Sequence, residues 1–288
     1  MSQTAFQRIA QRIERIGAPI VLGLDPRPDR MPAAFRGEHD GVRRFHRRLL
    51  ELTQDLVVAV KPQIAFFEAF GEDGLRMWAD TCELVKQQDL VVIGDVKRGD
   101  IGTTAAAYAE AHFRWADILT LHPLLGDDSV APFLDACRDE GKGVFVLCAT
   151  SNPGWARFQA TEDRAGVKLF ERIAEAIEEW NAGCPHHDGY GPVGAVVGAT
   201  HPDILTRVRA RAPHAWFLLP GVGAQGATIA DVATAFDARG LGALVPVSRG
   251  LASCFEPDDE DWEAKVRASA EALVAAARRR GDAASSAH

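Results

Sequence analysis

Eight short, continuous apolar runs recur along the chain with amphipathic segments between them, and this rhythm limits the possible folds more than any other feature of the sequence. The runs are 19–25 (PIVLGLD), 57–63 (VVAVKPQ), 90–93 (LVVI), 118–123 (ILTLHP), 144–150 (VFVLCAT), 193–200 (VGAVVGAT), 216–222 (WFLLPGV) and 243–249 (ALVPVSR). They lack the apolar–polar alternation of a sheet with one wet face, so both faces are covered and the strands are parallel. Helical periodicity over 5–16, 41–54, 66–70 with 74–87, 104–115, 130–140, 166–181, 202–210, 229–239 and 262–280 supplies the covering layer. Eight such units predict a single α/β domain, a (β/α)8 barrel, over residues 1–280. An open doubly wound sheet is the alternative. It more often shows Gly-x-Gly-x-x-Gly after the first strand, and Gly23-Leu24-Asp25-Pro26 stands there instead. Residues 281–288 are small and polar and are expected to be a disordered tail. Between 151 and 192 one helix is legible and its flanks are not.

Composition narrows the class of function. The chain has 288 residues, 47% of them hydrophobic, enough for a sizeable core. A net charge of −8 argues against nonspecific nucleic-acid binding and leaves room for a local basic pocket. Residues 1–19 carry charges throughout, so neither a signal peptide nor a membrane span is expected there or elsewhere. Cys82, Cys137, Cys148, Cys184 and Cys254 are scattered without a Cys-x-x-Cys pair, which fits reduced thiols and a cytoplasmic protein.

Polar residues cluster at one position in every unit. Asp25, Lys61, Asp95, Lys97, His122, Thr150, Ser151, Thr200, Gln225 and Arg249 fall at or just past the C-terminal ends of the strands. In a barrel those ends converge on one mouth, where active sites sit. The densest group is in LVVIGDVKRGDIGTT, residues 90–104. Asp95 and Lys97, two apart on a strand, share a face; Gly99 turns the chain, and Asp100 follows at the lip. A structural ion pair, with Asp100 capping the next helix, is the plain alternative for these residues taken alone. The convergence of the other strand ends favours catalysis. Pro220–Gly226 is a glycine-rich turn that can expose backbone N–H groups, and Ser248-Arg249-Gly250 follows the eighth run. Loops after the last two strands are the usual phosphate site of this architecture, with Arg249 as a bidentate grip. A flexible loop beside a surface arginine is the alternative there.

These residues resemble the orotidine 5′-phosphate decarboxylase family. Asp95-x-Lys97-x-x-Asp100, followed by Ile101, Gly102 and Thr104, looks like its signature, and the resemblance covers nearly the whole chain. Lys61 ends the second strand as the family's other catalytic lysine does. Lys61-Pro62-Gln63 with Phe66-Phe67-Glu68, and Thr150-Ser151-Asn152-Pro153-Gly154, are similar to the longer bacterial subfamily. Several relatives have Gly before the phosphate arginine; this chain has Ser248.

The resemblance implies removal of carbon dioxide from C6 of orotidine 5′-phosphate to give uridine 5′-phosphate, the last step of de novo pyrimidine synthesis. No metal or organic cofactor is implied, so the protein supplies the electrostatics. Lys97 is implied as proton donor to C6, and Asp95 as neighbour of the substrate carboxylate. Lys61 holds Asp95, in an alternating row Lys61–Asp95–Lys97–Asp100. Asp25 would bind ribose hydroxyls, Ser151 the pyrimidine amide, and Gln225 with Arg249 the phosphate. A homodimer with shared sites is implied, with Asp100 and Thr104 reaching the partner. His122, Thr200 and His201 carry no assigned role, and His186-His187 reads as a solvated loop. Magnesium-dependent sugar-phosphate relatives share the triplet, but their second strand ends in a metal-binding Glu, and the Lys61 ammonium would repel a metal. A non-catalytic phosphate-binding barrel would be expected to have lost a member of the charge row, and none is lost.

Overall fold

The computed structural model describes residues 3–36, 40–223 and 226–285. Eight strands close a parallel barrel in chain order: β1 (Ile20–Leu24), β2 (Ala59–Pro62), β3 (Val91–Arg98), β4 (Ile118–Leu121), β5 (Gly143–Ala149), β6 (Val193–Val197), β7 (Phe217–Leu218) and β8 (Ala243–Val247). Closure is made by β1 against β8, with Val21 beside Pro246. Every residue of β1, β2, β4, β6, β7 and β8 is buried. That is the consequence of a sheet lined by side chains within and covered by helices without, and it is why the runs read as continuously apolar. This is a TIM barrel, as the spacing predicts.

The N-terminal end of the barrel is sealed by the helix Ala5–Ile16. Thr4 and Gln7 form a reciprocal capping box at its start, and Gly17 ends it in the left-handed region at φ 75°. Its buried stripe is Phe6, Ile9, Ala10, Ile13 and Ile16. Phe6 stacks on Trp216 at 5.3 Å and meets Phe145 edge-on at 5.5 Å.

Three elements differ from expectation. The stretch 229–239 forms turns and a single 3-10 turn, Ala233–Ala235, instead of a helix. Side chains there capture the backbone groups that a helix would use. Asp237 accepts from the Arg239 and Leu241 N–H groups, and Arg209 donates to the Ala235 carbonyl at 2.8 Å. The connection after β5 contains a short helix, Ala156–Gln159, before the main helix Leu169–Ala182. The final helix runs Trp262–Ser285, into the stretch expected to be a tail; residues 286–288 lie outside the described residues.

Candidate active site

The site is built on an irregularity in β3. Gly94 pairs with Leu119 but Arg98 with Leu121, so β3 spends four residues where β4 spends two. Within that bulge Lys97 takes φ +45°, the left-handed region that β-strand residues avoid. The conformation is held by β4: the Lys97 N–H donates to Thr120 Oγ1 at 2.9 Å, and the Thr120 hydroxyl donates to Asp95 Oδ1 at 2.9 Å. A strained residue with dedicated support is where function is expected.

Asp95 is the hub. Its Oδ2 accepts from Lys61 Nζ at 2.6 Å and from Gln63 Nε2 at 3.0 Å; its Oδ1 accepts from Lys97 Nζ at 2.5 Å and from Thr120. Asp95 and Lys61 are buried, whereas the Lys97 side chain is 44% exposed. Burial by itself would raise the Asp95 carboxyl; Lys61 and Lys97 outweigh it and hold the group well below the usual carboxylate range. Burial likewise opposes the Lys61 ammonium, and Asp95 with Asp25 reverses that and raises it. Asp95 and Lys61 are therefore charged at neutral pH.

Other sequence-predicted residues surround this cluster. Asp25 follows β1, and its Oδ1 is buried without a hydrogen-bond partner, ready to accept from a ligand hydroxyl. Asp25, Lys61 and Arg249 line one cleft of about 470 Å³ together with Pro220, Gly221 and Val222. Arg249 opens a four-residue helix, Arg249–Ala252, directly after β8. Ser248 crosses β1 at Gly23, where a Cβ would meet its Oγ at 1.9 Å, so neighbouring strand ends approach closely only because Gly23 has no side chain. Ser151 sits just past β5 against the end of β6, its Cα 2.9 Å from the position of a Cβ on Gly198. Gln225 lies outside the described residues; the turn around it uses left-handed glycines at 221, 223 and 226.

Asp100 stands apart from the row. Its Oδ1 accepts from the Ile101 N–H at 2.8 Å, and the helix Gly102–Phe113 begins without a side-chain cap. Thr104 is exposed on the first turn of that helix. His122 is exposed, and His201 lies against Trp155 at 5.0 Å with its Nε2 buried and unpartnered. The sequence pattern alone gives no role to Thr120 or Gln63, and both bind Asp95. Thr120 is detectable as the one hydroxyl inside ILTL, on the strand beside β3; Gln63 is visible only as a residue following Lys61. Arg98 also acts as a clasp, donating to Glu68 at 2.6 Å and to His112 Nε2 at 3.2 Å, and so ties the lip of β3 to two helices.

Residues 18–257 match the orotidine 5′-phosphate decarboxylase / HUMPS family. The chain belongs to this family. It is 38% identical to the orotidine 5′-phosphate decarboxylase of Rhodopirellula baltica, over 89% of this chain and 93% of the relative. The orotidine 5′-phosphate decarboxylase of Deinococcus radiodurans is 41% identical, over 87% and 90%. The structure of Leishmania donovani OMP decarboxylase superposes with a TM-score of 0.80 at 36% identity, covering 97% of this chain and all of that one. Membership places the protein among the orotidine 5′-phosphate decarboxylase family, as a pyrimidine-pathway lyase.

Proposed function

We propose that the protein converts orotidine 5′-phosphate to uridine 5′-phosphate and carbon dioxide. The observation that carries this reading is the Lys61–Asp95–Lys97 cluster, with Lys61 lining the cleft and the Lys97 side chain 44% exposed. In the step, the bond between C6 and the carboxylate breaks, and its electron pair stays on C6. The Lys97 ammonium stabilises that charge and passes a proton to C6, and the resulting amine regains a proton from solvent. Asp95, pinned by four donors, lies where it would oppose the departing carboxylate and orient Lys97. Asp25 would take the ribose hydroxyls, Ser151 the pyrimidine amide, and Arg249 with Gln225 and the glycine turn the phosphate. Binding energy from that remote phosphate orders the charged groups. The charge stabilisation comes from the protein's own ammonium, so the step needs no metal or organic cofactor.

A homodimer with shared sites is part of the proposal. Asp100 makes its hydrogen bond outside the charge cluster, and Ile101, Leu124 and Leu125 are each more than half exposed nearby, an apolar rim that a second copy would cover. Mixing Lys97→Ala with Asp100→Ala subunits then returns about a quarter of wild-type activity, since half the dimers hold one complete site of two. No recovery means that Asp100 acts within its own chain. A cytoplasmic location is proposed from the five free cysteines.

The deciding assay is turnover of orotidine 5′-phosphate with excess chelator present. Full activity is expected. Activity that disappears with chelator and returns with magnesium assigns the chain to a sugar-phosphate branch instead, and failure to release carbon dioxide overturns the reading.

A further inference from the structure

The loop after β1 carries two arginines that the proposed mechanism leaves unused. Arg27 and Arg30 line the same cleft as Lys61 and Arg249, and Asp25 is the single carboxylate of that lining among the described residues. Both arginines flank one carboxylate: Arg27 Nη2 lies 3.1 Å from Asp29 Oδ2, and Arg30 Nε 3.6 Å from the same oxygen. The three side chains are 43–64% exposed, so these pairs contribute little to holding the loop. Two guanidiniums on one carboxylate leave an unbalanced positive charge. Arg249 lines the same cleft, brought there because β8 pairs with β1. A cationic opening on a protein of net charge −8 is not a by-product of composition. Clefts lined by one sign of charge concentrate ligands of the other and raise their rate of entry.

We propose that Arg27 and Arg30 form the entry edge of the phosphate site. They capture the 5′-phosphate dianion of a nucleoside monophosphate from solvent and pass it to Arg249 and the glycine turn, while Asp29 competes with the ligand for them. The identity of the ligand rests on the proposed function; the positive charge of the cleft does not. A purely structural role makes a different forecast. If the pairs only brace the loop, removing the carboxylate and removing the arginines damage the protein alike. If the arginines capture anions, the two changes act in opposite directions.

The test is steady-state kinetics on orotidine 5′-phosphate for the wild type, the double variant Arg27→Gln/Arg30→Gln, and Asp29→Asn. Each is measured at about 0.01 M and about 1 M ionic strength, where the screening length is about 30 Å and 3 Å. At low salt the double variant loses about tenfold in kcat/KM, carried by KM, and Asp29→Asn gains about two- to threefold. Both ratios shrink toward one at high salt. Calorimetric titration with uridine 5′-phosphate shows the same opposite signs. Changes of the same sign in both variants, no change in either, or effects independent of salt overturn the proposal. A wild type that binds uridine 5′-phosphate without turning over orotidine 5′-phosphate defeats the proposed function instead, and the titrations then judge the arginines by the same signs. A wild type that binds neither defeats both.

Discussion

Phe6, Phe145 and Trp216 close the N-terminal end of the barrel with three packed rings, whereas Lys61, Asp95 and Lys97 close the C-terminal end with three charges. The same eight strands carry both. The rings gain from leaving water and ask little of geometry, so their loss lowers stability in proportion to the area and cavity involved. The charges lose by leaving water and are tolerable only because every oxygen of Asp95 has partners and each ammonium has a carboxylate. One end is therefore committed to stability. The other sustains a costly arrangement, including a left-handed lysine, that is useful only when a substrate arrives.

This contrast is most exposed at Asp95. Asp95→Asn leaves Lys61 buried without its counter-ion, and activity is expected to fall by about 10³-fold, together with about 3–5 kcal/mol of stability in urea unfolding. Retained activity would mean that the cluster is structural and the two ends are alike. Phe6→Ala is the mirror experiment. It is expected to cost about 3–5 kcal/mol with kcat per folded molecule unchanged; a fall in kcat would join the two ends into one functional unit.

Acid sharpens the separation further. The Asp95 carboxyl is held well below its ordinary range, so the mouth stays ionised in mild acid. Its contribution to stability is present above the ordinary carboxylate range and is lost only as pH falls through the depressed native value. His46 behaves otherwise: it lies between the helices Gly41–Thr53 and Glu72–Gln87 against Thr81, and burial lowers it to about 3. The unfolded chain binds a proton there near pH 6.5 and the native one does not, so this stability is full above 6.5 and falls as pH drops. His112, lowered to about 4 chiefly by burial, acts with the same sign. Between pH 7 and pH 5 the wild type should lose about 2 kcal/mol more than His46→Gln, read by urea unfolding at both values. Equal losses would move the acid sensitivity away from the helix layer.

The barrel is legible in the sequence because burial on both faces of parallel strands leaves an unbroken apolar signature. The mouth is legible because a charge at the end of a buried strand is costly unless it is paired or used, and in a barrel all such ends meet at one place. What stays hidden does so for identifiable reasons. The bulge in β3 and the left-handed Lys97 depend on Thr120, a residue 23 positions away. The stretch 229–239 has helical periodicity, but Asp237 and Arg209 take its backbone groups at Arg239 and Ala235, a local and tertiary effect that outweighs propensity. In sequence Arg27 and Arg30 are ordinary loop charges; only closure of β1 on β8 places them in the same cleft as Arg249.

Lys97 is proposed to do the chemistry while other strands hold the nucleotide, and removing its side chain separates the two roles. Lys97→Ala is purified, its uridine 5′-phosphate affinity is measured by calorimetry, and carbon dioxide release from orotidine 5′-phosphate is followed in parallel. The expected result is nucleotide binding retained within a few-fold, because the proposed phosphate and ribose contacts follow β1, β7 and β8, with decarboxylation reduced by at least about 10³-fold. A folded variant that no longer binds the nucleotide, or one that still decarboxylates, contradicts the account.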